Sequence, residues 1–205
     1  YTVEALKEGC FVSTDFALFS AGGSVSKEWA PIAAREGPLV VDNSSQWRMD
    51  PDCALIVPEI NLEDRKGKSH IIANPNCSTI QSVLPLKALD QVFGLTRVHY
   101  STYQACSGSG KKGLDDLARC ERGEKNQFYP YDIASTCIPE IDVFYDDGYT
   151  KEEWKMVNET RKILHLPDLK VSATCIRVPV PIAHGVVINA EFEKPVDVVK
   201  ARDAL

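Results

Sequence analysis

The chain of 205 residues contains no Cys-x-x-Cys pair. Its seven cysteines (Cys10, Cys53, Cys77, Cys106, Cys120, Cys137, Cys175) are odd in number and scattered, which excludes the usual zinc and dithiol redox frameworks. Reduced thiols and no metal site are expected. Histidine is equally sparse: His70, His99, His165 and His184 are dispersed, leaving at most one or two for catalysis. No apolar run approaches the ~18 residues of a membrane span, and the N-terminus lacks the regions of a signal peptide. A cytoplasmic protein with no membrane partner is expected. A long lysine or arginine cluster is also missing, and with a formal net charge of -6 this argues against nucleic acid as the main partner and for small-molecule ligands. Internal repeats and low-complexity segments are absent.

The hydrophobic (44%) and charged (25%) fractions are those of an ordinary globular protein with a substantial core. Short apolar runs at Phe16 to Phe19, Pro38 to Val41, Ala54 to Pro58 and Ser69 to Ala73 read as buried strands. The first ends in the glycine turn Ser20-Ala21-Gly22-Gly23-Ser24 before a helical pattern from Val25 to Arg35, a turn that suits a phosphate but is equally often plain tight packing. The second ends in the polar loop Asp42 to Arg48. In parallel β/α sheets ligands bind beyond the carboxyl ends of the strands, where these loops fall. The charged stretch Asn61 to Lys68 reads as a loop.

Cys77 stands where strand-like sequence gives way to the helical run Ser78 to Phe93, within which Pro85 predicts a kink. A thiol at a helix N-terminus lies beside unpaired N–H groups and the positive end of the macrodipole, and both favour thiolate. Cys77 is therefore read as a nucleophile, against the alternative of a small buried hydrophobe. Beyond it, Arg97 to Tyr103 reads as a strand leading into a second glycine-rich loop, Gln104 to Gly113, and a helix from Leu114 to Cys120. Glu121 to Tyr131 reads as a loop and Ile133 to Tyr145 as partly extended. Thr150 and Glu153 have capping-box spacing for a helix to about Leu164; strands follow over Lys170 to Pro181 and Gly185 to Phe192, and Asp197 to Leu205 starts a helix. The fold class is α/β, with a partial Rossmann-like parallel sheet in residues 1–76. Spacing alone does not distinguish His184, Arg48, Arg177 or Gln104 from structural or surface residues.

Five segments sharpen this reading. Ser-Ala-Gly-Gly-Ser-Val-Ser (20–26), Val-Asp-Asn-Ser-Ser-x-x-Arg-Met-Asp (41–50), Asn-Pro-Asn-Cys-Ser-Thr-Ile-Gln (74–81), Ser-Thr-Tyr-Gln-Ala-x-Ser-Gly-x-Gly (101–110) and Arg-Val-Pro-Val with His184 seven residues after the arginine resemble, in order and nearly end to end, the aspartate-semialdehyde dehydrogenases. The resemblance implies reversible, NADP-dependent reduction of aspartyl phosphate to aspartate semialdehyde through a cysteine thioester. It assigns Cys77 as nucleophile, His184 as general acid/base and Gln104 as the residue that holds the reacting group. Arg177 would grip the substrate carboxylate, Glu152 its ammonium group, and Arg48, Lys155 and Asn76 the phosphate. Ala21, Gly22, Gly23, Asn43, Ser107 and Gly108 would hold NADP. It further implies a homodimer or homotetramer, with residues 77–205 forming an α+β catalytic and dimerisation domain with a mixed sheet, incomplete at its C-terminus, after a dinucleotide-binding part in residues 1–76.

Three departures are visible. Gly185-Val186-Val187 stand where the family usually has serine and further polar residues, the stretch Glu121 to Phe128 is shorter than usual, and the family's N-terminal glycine-rich fingerprint and C-terminal segment are absent from this sequence. A non-catalytic remnant that keeps a subunit interface is the alternative they raise.

Overall fold

The computed structural model describes residues 2–205, in two compact units: the first extends to Asn76 and takes in Lys162–Leu166, and the second comprises Cys77–Arg161 and Pro167–Leu205. The fold is α/β.

In the first unit β1 (Phe16–Phe19), α1 (Gly23–Glu36), β2 (Leu39–Asp42), β3 (Ala54–Leu55), α2 (Pro58–Asn61), a 3-10 turn (Leu62–Arg65) and β4 (Ile71–Ala73) follow in sequence. The sheet has the order β1-β2-β4-β3 and is wholly parallel. Phe19 pairs with Asp42, Asp42 with Ala73 and Leu55 with Ala73, so all four carboxyl ends share one edge. Ala30 and Ala33, fully buried on one side of α1, let the helix lie close to Ala17, Phe19 and Val40 in the core.

Two expectations need correction here. The strand predicted to reach Pro58 stops at Leu55, because Pro58 opens a helix at a position where its missing N–H costs nothing. The charged stretch Asn61 to Lys68 is accordingly not all loop. Buried Asn61 holds the corner: its Oδ1 accepts from Val57 N–H at 2.8 Å and its Nδ2 donates to Leu55 C=O at 2.8 Å.

The second unit contains α3 (Cys77–Phe93), β5 (Leu95–Gln104), a 3-10 turn (Cys106–Ser109), α4 (Gly110–Glu121), α5 (Lys151–Leu164, whose last turn groups with the first unit), β6 (Lys170–Arg177), β7 (Gly185–Phe192) and α6 (Val198–Ala204). Its sheet has the order β6-β5-β7, with β5 parallel to β6 and antiparallel to β7. Helix α3 continues through Pro85. The strand predicted to reach Pro181 ends at Arg177, since Pro179 and Pro181 have no N–H for a ladder. Between Ile133 and Tyr145 the extended structure reduces to two isolated bridges, Ile138 with Arg177 and Phe144 with Thr150.

The capping box of α5 forms reciprocally: Thr150 N–H donates to the Glu153 carboxylate at 2.7 Å, and Glu153 N–H to Thr150 Oγ1 at 3.3 Å. No helix among the described residues is long and apolar enough to cross a membrane.

Candidate active site

The carboxyl edge of the first sheet gathers its polar loops. Gly22, at φ 94°, turns the chain from β1 into α1, whose N-terminus has no side-chain cap, and a Cβ at Gly22 or Gly23 would meet nothing within 4 Å. The turn is thus an open cradle of unpaired N–H groups, suited to an anion. Asn43 sits beside it, donating to Ser20 Oγ at 3.4 Å and accepting from Asn74 Nδ2 at 2.9 Å. Buried Arg48 donates to the carbonyls of Asn74 at 2.9 Å and Asn43 at 3.0 Å, tying two of these loops together. Lys162, which sequence reasoning missed, is buried enough that its ammonium is pushed below its ordinary value. Its three donors reach the carbonyls of Arg48 (2.7 Å), Asp50 (3.0 Å) and Cys53 (3.3 Å). Ala21, Gly22, Gly23, Asn43, Arg48 and buried Asn76 all belong to this unit.

The second unit brings the remaining candidates together at the carboxyl ends of β5 and β6. Parallel pairing sets Gln104 opposite Arg177, and antiparallel pairing sets Gly185 opposite Tyr103, so His184 arrives at the same end from the far side of β5. Cys77, exposed, is the first residue of α3. Its neighbour Ser78 is held by Gln104: the buried carboxamide Nε2 reaches Ser78 Oγ at 3.0 Å, Thr102 Oγ1 at 3.3 Å and the Glu152 carboxylate at 3.1 Å. Ser78 and Thr102 carry no sequence signal beyond adjacency to Cys77 and Gln104.

Glu152 and Lys155 lie one turn apart on α5, as their spacing requires, and pair at 3.1 Å. On their own they would be taken for a surface pair, but their side chains are only 6% and 19% exposed. Asp142 completes the group at 3.0 Å from the Lys155 ammonium, a residue no sequence pattern marks. Burial works against the charge on Lys155, yet Glu152 and Asp142 outweigh it and hold the ammonium above its ordinary value. It therefore stays charged and can meet an anion.

Arg177 is buried, and its Nη1 donates to Ala105 C=O at 2.7 Å. The Ala105 N–H donates to His184 Nδ1 at 2.9 Å. Gly108 packs against both side chains: a Cβ there would lie 2.9 Å from Arg177 Nη1 and 3.0 Å from His184 Nε2 and Cε1. The Gly185-Val186-Val187 departure falls in β7, while the histidine itself is located from outside that strand by Ala105. Beside Gly108, Ser107 N–H donates to Pro181 C=O at 3.0 Å.

The expected electrostatics of Cys77 are reversed. Although the residue as a whole is exposed, desolvation of its sulphur by the surrounding atoms is the largest influence and the Glu152 carboxylate the next, and together they push the thiol above its ordinary value. Hydrogen bonds from Ser78 and the helix start act in the opposite direction without prevailing. A cation received at Glu152 would relieve part of this. His184 is displaced downward, first by burial and then by Arg177, with Glu152 opposing. Among the described residues no cluster of three or more histidine, cysteine or carboxylate side chains could hold a metal ion. What the unit offers is an accessible sulphur, a held carboxamide, an imidazole, a guanidinium and a mixed-charge pair, a set able to bind a small zwitterion with a second anion and form a bond to its carbonyl carbon.

Family models match as semialdehyde dehydrogenase, NAD binding domain, over residues 1–68 and as semialdehyde dehydrogenase, dimerisation domain, over residues 86–205. The chain is 55% identical to aspartate-semialdehyde dehydrogenase of Aquifex aeolicus and 51% identical to that of Campylobacter jejuni, in both cases over 100% of its length and 63% of theirs. It thus spans less than two thirds of these relatives. Among solved structures, aspartate semialdehyde dehydrogenase II of Vibrio cholerae, complexed with ASA, superposes with a TM-score of 0.91 at 44% identity, covering 95% of this chain and 60% of that one. The Candida albicans enzyme with NADP superposes with a TM-score of 0.72 at 28% identity, covering 97% and 56%. With family models over most of its length and relatives of one name across all of it, the chain belongs to the aspartate-semialdehyde dehydrogenase family.

Proposed function

We propose that the protein to which this chain belongs reduces aspartyl phosphate with NADPH and a proton to aspartate semialdehyde, NADP and phosphate, reversibly and through a thioester on Cys77. This step serves synthesis of the aspartate-family amino acids lysine, threonine and methionine. The observation that carries the reading is the Gln104 carboxamide held between Ser78, next to the sulphur, and Glu152, the acid placed for a substrate ammonium group. Arg177 takes the substrate carboxylate through its planar fork. Lys155, charged throughout the neutral range, takes the phosphate on the second unit, and Arg48 and Asn76 are the anion-binding candidates of the first.

The sulphur attacks the acyl carbon and expels phosphate, and the thioester so formed accepts hydride more readily than a carboxylate would. Ala21, Gly22, Gly23 and Asn43 would hold NADP on the first unit, where the open N–H cradle at Gly22 and Gly23 fits a dinucleotide phosphate. When bound, the nicotinamide supplies or receives the hydride. We assign residues 1–76 to the dinucleotide-binding domain and 77–205 to the catalytic and dimerisation domain, in a homodimer or homotetramer. Seven unpaired cysteines suit the reducing cytoplasm.

The test is spectrophotometric. Full-length protein given aspartate semialdehyde, phosphate and NADP should generate NADPH, and Cys77→Ala should abolish it. No NADPH from protein with intact Cys77 refutes the reading.

A further inference from the structure

Glu152 serves two partners before any ligand arrives. Its Oε1 accepts from the Gln104 carboxamide at 3.1 Å and its Oε2 from the Lys155 ammonium at 3.1 Å. An ammonium group approaching this carboxylate therefore meets a cation already seated on it. Two cations on one carboxylate repel each other, and with the Glu152 side chain only 6% exposed and that of Lys155 19%, water screens the repulsion poorly. A second counter-charge for Lys155 removes the conflict.

Asp142 supplies it. Its Oδ2 accepts from Lys155 Nζ at 3.0 Å, so Lys155 divides its charge between two carboxylates. Lys151 lies 3.7 Å from the same oxygen, with its side chain 41% exposed, and contributes less. The backbone is shaped around this contact. Asp142 adopts φ 69°, in the left-handed region that an L-residue enters only at a cost. The chain is pinned on both sides of it: Ile138 and Arg177 exchange N–H to C=O bonds at 2.9 and 2.8 Å, and Val143 C=O accepts from Lys151 N–H at 2.8 Å. Strain imposed in this way, at a residue that touches a candidate site, is grounds for assigning it a role there.

We propose that Asp142 is a positioning residue: by holding Lys155 it leaves the negative charge of Glu152 to an incoming ammonium group, and so sets the affinity for the amino end of the substrate. The presence of a substrate ammonium group at Glu152 rests on the function proposed above. The sign of the effect follows from charge. Asp142→Asn removes the second counter-charge, so that Lys155 turns wholly to Glu152 and the field attracting an ammonium group weakens. Both changes act against the amino end of the substrate. The same substitution removes a negative charge beside Lys155, so an anion received there loses nothing by it. Asparagine enters the left-handed region as aspartate does, and the backbone of the variant is kept.

Steady-state oxidation of aspartate semialdehyde by the full-length protein, with aspartate semialdehyde and phosphate varied in turn, separates these effects. In Asp142→Asn the KM for aspartate semialdehyde should rise about tenfold and that for phosphate no more than about twofold, with kcat within about threefold of the parent. Asp142→Gly, which adopts φ 69° without strain, should show the same pattern. A merely structural role would lower the active fraction, and hence kcat, without separating the two KM values. An unchanged KM for aspartate semialdehyde, equal rises in both KM values, or a collapsed thermal midpoint in both variants overturns the proposal. A second readout needs no turnover: aspartate semialdehyde alone, without dinucleotide or phosphate, should protect Cys77 from iodoacetamide, at a half-protecting concentration about tenfold higher in Asp142→Asn. Equal concentrations in parent and variant also overturn it. Absence of turnover in the unsubstituted protein would instead refute the proposed function, and the protection assay would still decide the role of Asp142.

Discussion

At Cys77 the environment opposes the reactivity that the position suggests. The helix start supplies N–H groups that favour thiolate, but a single partial positive end is outweighed by burial of the sulphur and by the full negative charge of Glu152. The sign is definite: with the thiol above its ordinary value, the thiolate fraction in the ligand-free protein grows only as pH rises through that displaced value. Glu152→Gln removes the negative charge and leaves Lys155 in place, so the thiol must come down. Alkylation of Cys77 by iodoacetamide, followed by peptide mass mapping to separate it from the exposed Cys10 and Cys137, should then run about three- to tenfold faster at pH ~7.5, with its pH profile moved to lower pH. An unchanged profile would show that Glu152 does not govern the sulphur. Under the function proposed above, a substrate ammonium group received at Glu152 would neutralise the charge that restrains the thiol.

At the scale of elements, the loop after α4 shows how a polar stretch without periodicity is held in one shape. Buried Asp116 on α4 accepts from the N–H groups of Gln127 (2.6 Å), Phe128 (3.1 Å) and Tyr129 (2.9 Å). Tyr129 in turn packs with Cys106, Leu117 and Ile133, and its hydroxyl reaches Ser109 Oγ at 3.1 Å, so the loop buttresses the 3-10 turn that carries Ser107 and Gly108. Gly113 is required for this contact, because a Cβ there would stand 2.5 Å from the Tyr129 oxygen and 2.7 Å from Cys106 C=O. Burial raises the Asp116 carboxyl, but the three N–H donors prevail and keep it below the usual carboxylate range. Its contribution to stability is therefore complete above the unfolded value of about 3.9 and is lost as pH falls through the lower folded value. Asp116→Asn points an NH2 at one or more of these donors and should cost about 2–3 kcal/mol at pH ~7, read as a lower urea midpoint. The deficit should shrink as pH falls below the unfolded value of about 3.9, where the parent's unfolded chain takes up a proton that its folded form binds less readily, and a pH-independent difference would reject this account.

At the scale of the whole chain, what could be read from sequence depended on the range of the interaction. Strands, glycine turns and the Thr150–Glu153 box are local patterns with local causes, and they fall where expected within a few residues. The candidate residues on β5 and β6, Gln104 and Arg177, were legible by motif, yet only the parallel register sets them side by side. Asp142, Ser78, Lys162 and the Ala105 backbone were not legible, because each acts through a contact between residues far apart in sequence, and a backbone N–H has no residue type to betray it. The same topology dictates the last test. The crossover from β6 to β7, Val178 to Ala183, must pass the end of β5 before β7 begins at Gly185 opposite Tyr103. Its middle is pinned by the carbonyls of Val180 and Pro181, and Ala183 adopts φ 75°, a conformation costing an L-residue ~1–2 kcal/mol. Strain of this kind persists only where surrounding contacts impose it, and here it lies immediately before His184. Ile182 is 70% exposed, so deleting it removes little packing, but it shortens the path to His184 by ~3.3 Å of chain while the strand register and the pinned carbonyls hold both ends. The deletion should leave the thermal midpoint of the full-length protein within a few degrees of the parent and lower kcat for aspartate semialdehyde oxidation by at least ~10²-fold, the order expected for a catalytic group displaced by an ångström or more. Parent-like turnover in the shortened protein would mean that the crossover does not set the position of the imidazole.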